Sequence, residues 1–238
     1  MMKVPAMSNA LHALLAPHGL IVLGSFTVIA DDKAPATPGG IPASVGTLVG
    51  NAGPEMWRAF ATARRNEPHP LNLWSKRILD PVAMALDATI AYPFDQPYQP
   101  FPRWAARTGA IFPTPMTPSI HPVYGTWFGL RGALFSAEAL CPPTPPAIPP
   151  CENCAGKPCL TICPSDAIQR KDAALCHGYL ESHPDSDCLA EACRARRACP
   201  VGRDYAYEPE QARFHMAAFV RDFGAVMRQC RRGVDEGQ

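Results

Sequence analysis

The sequence predicts a mixed α+β protein in two unequal parts, because cysteine and proline are distributed unevenly along the chain. None of the ten cysteines among the 238 residues precedes Cys141, and nine of them fall between Cys141 and Cys199. Six prolines in residues 141–150 form a stiff, extended connector. We therefore expect four successive units: an N-terminal domain (1–140), a proline-rich linker (141–150), a cysteine-rich domain (151–204) and a C-terminal helix (205–238).

The N-terminal domain alternates candidate strands and helices, which is typical of an α/β arrangement. Strands are predicted where apolar runs are bounded by turn residues, namely at 20–30, 43–51 and 125–135. Helices are predicted where apolar residues recur at helical spacing, namely at 9–16, 55–65, 71–91 and 103–108. Ser8 is expected to cap the first helix, and Pro81 to break the third. Beyond the cysteines, residues 209–232 have the pattern of an amphipathic helix.

The charge balance narrows the range of partners. The formal net charge is +1, and eight thiolates bound to two oxidised clusters would bring it to roughly −3. Neither value favours a nucleic-acid partner. The uncharged run 20–30 is too short to span a bilayer, and the N-terminus has few features of a secretory leader. We therefore expect no membrane association and a cytoplasmic, thiol-reducing location, which favours metal binding over disulfides.

Two groups of cysteines each end in Cys-Pro, and their spacing predicts iron–sulfur clusters. The groups are Cys151-x2-Cys154-x4-Cys159-x3-Cys163-Pro164 and Cys176-x11-Cys188-x4-Cys193-x5-Cys199-Pro200. In two-cluster bacterial ferredoxins, a short loop supplies three thiolates to one cluster, and the cysteine before proline crosses to the other. That rule predicts a bacterial-ferredoxin-like domain with two [4Fe–4S] clusters. Their ligands would be Cys151, Cys154, Cys159 and Cys199 for one, and Cys163, Cys176, Cys188 and Cys193 for the other.

Three alternatives to two clusters stay open. Zinc also takes four thiolates, although it would leave the ordered Cys159-x3-Cys163-Pro164 spacing without a role. Disulfides, or a single cluster beside a degenerate second group, are the other two. Cys141 and Cys230 lack any motif context. Four arginines beside the second group either compensate cluster charge or dock an acidic electron donor: Arg194, Arg196, Arg197 and Arg203.

A resemblance to corrinoid proteins covers much of the N-terminal domain. Asp95 opens the stretch DQPYQPFPRWAARTG, GTWFGLRG follows at 125–132, and Leu79-Asp80-Pro81-Val82 precedes both. This pattern resembles the cobalamin-binding domain of epoxyqueuosine reductases, and residues 120–132 are similar to the matching strand of CblC-type cobalamin-processing proteins. The resemblance implies a domain of the flavin-reductase or nitroreductase kind, followed by a two-cluster module.

The resemblance also implies site residues. Asp95 matches the proposed proton donor of the epoxyqueuosine reductases and is the catalytic candidate, with an ordinary turn residue as the alternative. The candidates for contact with cobalamin are His121, Gly125, Trp127, Phe128 and Arg131. The Gly-Lys-Asn stretch of that family is replaced here by Thr114-Pro115-Met116, which favours corrinoid handling over tRNA modification.

Three functions fit these patterns. The favoured one is an iron–sulfur oxidoreductase that passes single electrons from two [4Fe–4S] clusters to a bound corrinoid, with a ferredoxin, flavodoxin or reductase as donor. The second is a ferredoxin-like electron-transfer protein whose N-terminal domain docks a partner enzyme. The third is a reductase that uses flavin in place of the corrinoid.

Overall fold

An antiparallel sheet forms the centre of the N-terminal part. The computed structural model describes residues 4–235, with the side chains of the last helix described as far as Ala225. The strands are β1 (Ile21–Thr27), β2 (Val45–Ala52), β3 (Thr89–Ala91) and β4 (Phe128–Ser136). Their order in the sheet is β1-β2-β4-β3, with every neighbouring pair antiparallel. The molecule is therefore a mixed α+β protein, as the sequence predicts.

Helices cover both faces of this sheet. The helices of the N-terminal part are α1 (Val4–Leu15), α2 (Glu55–Ala63), α3 (Pro70–Ala85) and α4 (Phe101–Arg107). Alternate residues of a strand point to opposite faces. Accordingly, Val49 packs in one core with residues of α1, α2 and α3, while its neighbour Leu48 packs in a second core with Trp104 of α4.

Three local predictions are wrong in detail. Ser8 lies inside α1, so it is not the residue that caps it. Pro81 lies inside α3, and the helix continues past it to Ala85 because Leu79, Val82 and Ala83 are buried against the core. The predicted continuation of that helix to residue 91 is instead the edge strand β3.

The cysteine-rich segment forms short helices joined by turns. They are α5 (Ala167–Arg170), α6 (Ala173–Ser182), α7 (Asp187–Ala190) and α8 (Arg194–Ala198). The long final helix, α9 (Pro209–Asp235), contacts both parts of the molecule. Its Phe214 packs on Trp57, with 5.1 Å between ring centroids, and its Val220 carbonyl lies 3.0 Å from Nε2 of His177 in α6. Helix α9 thus connects the cysteine-rich segment to the sheet domain.

The linker lies against the sheet domain. The hydroxyl of Thr144 accepts a hydrogen bond from the Ser25 N–H at 3.0 Å, and the Ala147 N–H donates to the Gly109 carbonyl at 3.1 Å. Within residues 4–235, the structure contains no helix with the length and apolar character needed to cross a membrane.

Candidate functional site

Four cysteines drawn from both cysteine groups surround one pocket. Cys151, Cys154, Cys159 and Cys199 line it, and we call them the first quartet. Burial raises the pKa of the Cys151 thiol, and negative charge on Cys199, Cys159 and Cys154 raises it further. Burial and the negative charges of Cys199 and Cys154 likewise raise the pKa of the Cys159 thiol. These thiols are therefore close enough to repel one another when ionised.

The remaining four cysteines of the two groups form a second set, which we call the second quartet: Cys163, Cys176, Cys188 and Cys193. Burial, followed by the charges of Cys193, Cys163 and Cys188, raises the pKa of Cys176 to about 12. Burial also raises the pKa of Cys193, which interacts with Cys188 and Cys163. Each quartet thus takes three cysteines from one group and one from the other. This is the grouping that the Cys-Pro crossover rule predicts.

Cys163 differs from its neighbours in the second quartet. Burial opposes its ionisation, but hydrogen bonds from the Ser165 hydroxyl and from backbone N–H groups at Ser165, Ile168 and Ala167 lower its pKa overall. These donors belong to the turn that leads into α5 and to the start of that helix. Hydrogen bonds of this kind stabilise a thiolate and tune a centre that it binds.

The arrangement bears on two of the alternatives. All nine cysteines whose side chains are described, Cys141 and the two quartets, are free, so none of them forms a disulfide. Cys230 lies outside the described side chains. Among the described residues, no group of three or more His, Cys, Asp or Glu side chains is spaced to hold one metal ion. Zinc and iron–sulfur ligation by these cysteines both stay predictions.

The pocket of the first quartet is built by both parts of the molecule. Besides the cysteines and Lys157, it is lined by Thr114, Pro115, Met116 and Ile120 of the sheet domain and by Val201. The first quartet is therefore in contact with the sheet domain.

The arginine run beside the second cysteine group makes contacts inside the molecule. Arg194 binds Asp187 at 2.8 Å, and Arg197 pairs with Asp187 and with Glu191. Arg196 lies between two rings, 4.5 Å from the centroid of Trp127 and 4.4 Å from that of Tyr207. Its guanidinium also donates to the Thr126 carbonyl, at 3.0 Å from Nε. Arg194, Arg196 and Arg197 therefore all have partners inside the molecule, and docking of an acidic electron donor stays a prediction.

Two of the candidate cobalamin contacts lie against the C-terminal part. Trp127 is 2% exposed and packs edge-on against Tyr207, with centroids 5.5 Å apart. Gly125 touches the backbone of Val201, beside the first quartet. These contacts account for both residues without a ligand.

His121 follows Ile120 of the pocket, and Phe128 begins β4. The His121 Nδ1 atom accepts a hydrogen bond from the Val123 N–H at 3.1 Å, and its ring stacks on Tyr124 with centroids 4.4 Å apart. Phe128 meets the His121 ring edge-on at 6.3 Å. Burial lowers the pKa of His121 to about 4, so its imidazole is neutral at neutral pH.

Arg131 lies in a polar group that sequence reasoning missed. Its Nε donates to the Leu130 carbonyl at 2.9 Å, while Nη1 is enclosed and has no hydrogen-bond partner among the described residues. Burial lowers its pKa to about 10. In α9, Gln211 Oε1 and His215 Nε2 are also buried and have no hydrogen-bond partner among the described residues. The sequence did contain a signal for these two polar residues. They are one helical turn apart and lie beside Phe214, on the apolar side of the predicted amphipathic helix.

Asp95 is held by an ion pair on another side of the sheet domain. Its carboxylate lies 2.8 Å from Nζ of Lys76 in α3, and 43% of its side chain is exposed. The Lys76 ammonium also lies over the Tyr92 ring at 5.1 Å, and the Tyr92 hydroxyl donates to Asp80 at 2.5 Å. Neither Lys76 nor Tyr92 lines the pocket of the first quartet. The ion pair gives Asp95 an accessible, oriented carboxylate.

Comparison with known proteins gives no match in sequence and a likeness to a solved structure. No protein-family model matches this chain, and no curated protein matches its sequence. A similar solved structure is that of CblC, a B12-trafficking protein of C. elegans and a homologue of human MMACHC. The two chains are 13% identical, and the likeness covers 89% of this chain and 92% of that one with a TM-score of 0.47. A likeness at this level does not extend a function from one protein to the other.

Proposed function

We propose that this protein is an iron–sulfur electron-transfer protein whose two quartets each bind a [4Fe–4S] cluster. The proposal depends on the way the eight cysteines group in space. They form two sets whose thiols interact within each set, and each set includes the Cys-Pro cysteine of the other sequence group. Four thiolates around one enclosed space are the donor set that such a cluster takes. When loaded, the quartets would hold centres that exchange single electrons.

The protein's own groups fit the role of cluster ligands. Burial raises the pKa of Cys151, Cys159, Cys176 and Cys193, so loading a cluster would release protons from these thiols and couple binding to pH. Ser165 and the turn before α5 supply hydrogen bonds to Cys163, which favour its thiolate form. The contacts of Arg194 and Arg197 with Asp187 hold the chain on either side of Cys193.

We further propose that electrons leave through the first quartet toward an acceptor held by the sheet domain. Support comes from the pocket, where Thr114 to Met116 and Ile120 of that domain lie against the cysteines. The proposed acceptor is a corrinoid, on the strength of the sequence resemblance over residues 79–135. His121 and Phe128 are proposed to contact it, since His121 follows Ile120 of this pocket and its ring meets that of Phe128. Asp95 is proposed as the proton donor on the sequence resemblance alone, because its carboxylate pairs with Lys76 on another side of the sheet domain.

Paired cysteine substitutions test the two clusters and their ligand sets. We expect wild-type protein, reconstituted anaerobically, to contain about eight iron and eight sulfide per chain. Cys151→Ala with Cys199→Ala removes two ligands of one set and should leave about four iron. Cys151→Ala with Cys163→Ala removes one ligand from each set and should leave almost none.

The outcome separates grouping in space from grouping along the chain. If the four sequence-adjacent cysteines bound one cluster, the pair Cys151 and Cys163 would leave about four iron, and Cys151 with Cys199 almost none. That reversed result would overturn the proposed ligand sets. Cys141→Ala is the matched control, since Cys141 is free, buried and outside both quartets, and it should retain all the iron.

Titration with aquacobalamin tests the proposed acceptor and the role of Asp95. Binding should shift the corrin absorption bands and raise the thermal unfolding midpoint of the protein. Asp95→Ala should retain this binding and lose turnover, whereas Lys76→Met, which removes only the partner of the ion pair, should retain both. An unchanged spectrum and unfolding midpoint would reject the corrinoid, and full turnover in Asp95→Ala would reject the proton donor.

A further inference from the structure

Two glycines from distant parts of the chain meet backbone to backbone. A Cβ atom on Gly125 would lie 2.0 Å from the Val201 carbonyl oxygen, and one on Gly202 would lie 2.2 Å from the Tyr124 carbonyl carbon. Both glycines have positive φ, +58° and +72°. Only glycine allows both the conformation and the close approach. We call Gly125 and Gly202, with their neighbours Tyr124 and Val201, the glycine joint.

Both chain segments of the glycine joint lie next to residues of the first quartet's pocket. Gly202 follows Cys199 by three residues, and Val201 lines the pocket. Gly125 closes a tight turn with His121, whose N–H donates to the Gly125 carbonyl at 2.8 Å and whose carbonyl accepts from Gly125 at 2.9 Å. That turn begins next to Ile120, which lines the same pocket. The joint therefore connects a ligand-bearing loop directly to the sheet domain.

Side chains next to the joint maintain the contact. The rings of Tyr124 and Tyr205 meet edge to face with centroids 4.9 Å apart. The carbonyl of Thr126, the residue after Gly125, accepts a hydrogen bond from the Arg196 guanidinium. Arg196 belongs to α8, the helix between Cys193 and Cys199. The separation between the first quartet and the sheet domain is thus fixed at several neighbouring points.

We propose that the glycine joint is a positioning device that sets the rate at which electrons pass from the first quartet into the sheet domain. This inference rests on the proposed function. Electron transfer between two fixed centres slows as the distance between them grows. A side chain at either glycine would force the two backbones apart. Gly125 and Gly202 are therefore positioning residues.

The experiment compares Gly125→Ala with Gly40→Ala. Gly40 has nearly the same backbone conformation, with φ +74°, but nothing lies within 4 Å of its would-be Cβ atom. Three quantities are measured: iron per chain, hydrogen exchange at the Gly125 and Trp127 amides, and the rate at which pre-reduced protein, freed of reductant, reduces aquacobalamin. We expect Gly125→Ala to retain its iron, exchange faster at both amides, and transfer electrons more slowly than wild type. Gly40→Ala should match wild type in all three.

Tyr205→Leu is the second test variant, to be used if Gly125→Ala does not fold. It removes the ring contact with Tyr124 and leaves both glycines in place, so it should retain iron and slow the transfer to a smaller extent. A wild-type rate in Gly125→Ala, or in Tyr205→Leu where the glycine variant lacks iron, overturns the positioning role.

Failure of the proposed function gives a different result. Wild-type protein with full iron that does not reduce aquacobalamin would reject the corrinoid acceptor. The joint is then judged by amide exchange alone. Faster exchange in Gly125→Ala over both 120–127 and 199–205 supports it, and exchange unchanged from wild type overturns it.

Discussion

At the scale of single residues, the enclosed His215 shows how two arginines act on a neutral side chain. Burial, together with the positive charges of Arg131 and Arg196, lowers its pKa to about 3. The ring of Tyr207 lies 5.4 Å from the His215 ring. Burial and the two arginines thus disfavour the protonated imidazole.

This environment predicts a loss of stability in acid. Between about pH 6.5 and pH 3 the unfolded chain protonates His215 and the folded protein does not, so the free energy of unfolding falls as the pH falls. The slope is at most about 1.4 kcal/mol per pH unit, and there is no contribution above pH 6.5. We expect His215→Gln to be less sensitive than wild type when unfolding midpoints are measured from pH 7.5 to pH 5.

The matched control is His183→Gln, because His183 is exposed. It should follow the wild-type curve over the same range. Parallel curves for wild type and His215→Gln would contradict the effect assigned to Arg131 and Arg196.

At the scale of helices and strands, α8 joins the two cysteine quartets to the sheet domain. This short helix runs from the residue after Cys193 to the residue before Cys199, and its Arg196 contacts Thr126, Trp127 and Tyr207. A planar guanidinium can stack between two rings and donate in its own plane, which an ammonium cannot do. The contact is therefore specific to arginine.

Replacing Arg196 by lysine should be destabilising although the charge is retained. The variant loses two cation–π contacts and a charge-assisted hydrogen bond, and we expect a decrease of about 1–3 kcal/mol in the free energy of unfolding. Chemical denaturation checks this value. Arg213→Lys, at an exposed position of α9, is the control and should cost less than about 0.5 kcal/mol. Equal values for the two variants would contradict the role of Arg196.

The elements also show how far local sequence patterns extend. The apolar runs predicted β1 and β2 because a buried strand has a local signature, and most of α2, α3 and α9 followed from helical spacing. Pro81 was expected to end α3, but burial of the residues around it outweighs the hydrogen bond that proline removes. The strand β3 has three residues and no pattern of its own.

The candidate site also combines features that have a local sequence pattern with features that depend on distant contacts. The spacing and the Cys-Pro ends predict the crossover grouping of the cysteines, and their role as cluster ligands stays a prediction. The burial of Trp127 against Tyr207, and the approach of Gly125 to Val201, depend on contacts between residues about 80 positions apart. No local pattern records such contacts. The same holds for Gln211 and His215, which become part of a polar group only when α9 packs on the sheet domain.

At the scale of the whole molecule, the two parts differ in how much apolar surface they bury. The sheet domain encloses large side chains such as Trp74, Trp104, Phe60 and Phe135. In the segment 151–204, all of which is described, the buried apolar residues are few and mostly small: Ala167, Leu180, Cys188, Ala192, Ala195 and Cys199. A segment of this size with so small a core needs metal centres or other cross-links to remain folded.

The small core predicts that removing iron will unfold one part of the molecule and spare the other. If the quartets hold clusters, their ligation energy stabilises residues 151–204, because a segment without its own core gains stability from metal binding. We expect anaerobic chelation to abolish hydrogen-exchange protection in α6 and α8. Protection in β2 and β4, which the two hydrophobic cores of the sheet domain support, should persist and serves as the internal control. Restoring iron and sulfide should restore the lost protection. Retention of protection in α6 and α8 after complete loss of iron would show that the packing of α9 and the Arg196 contacts are sufficient to hold the segment.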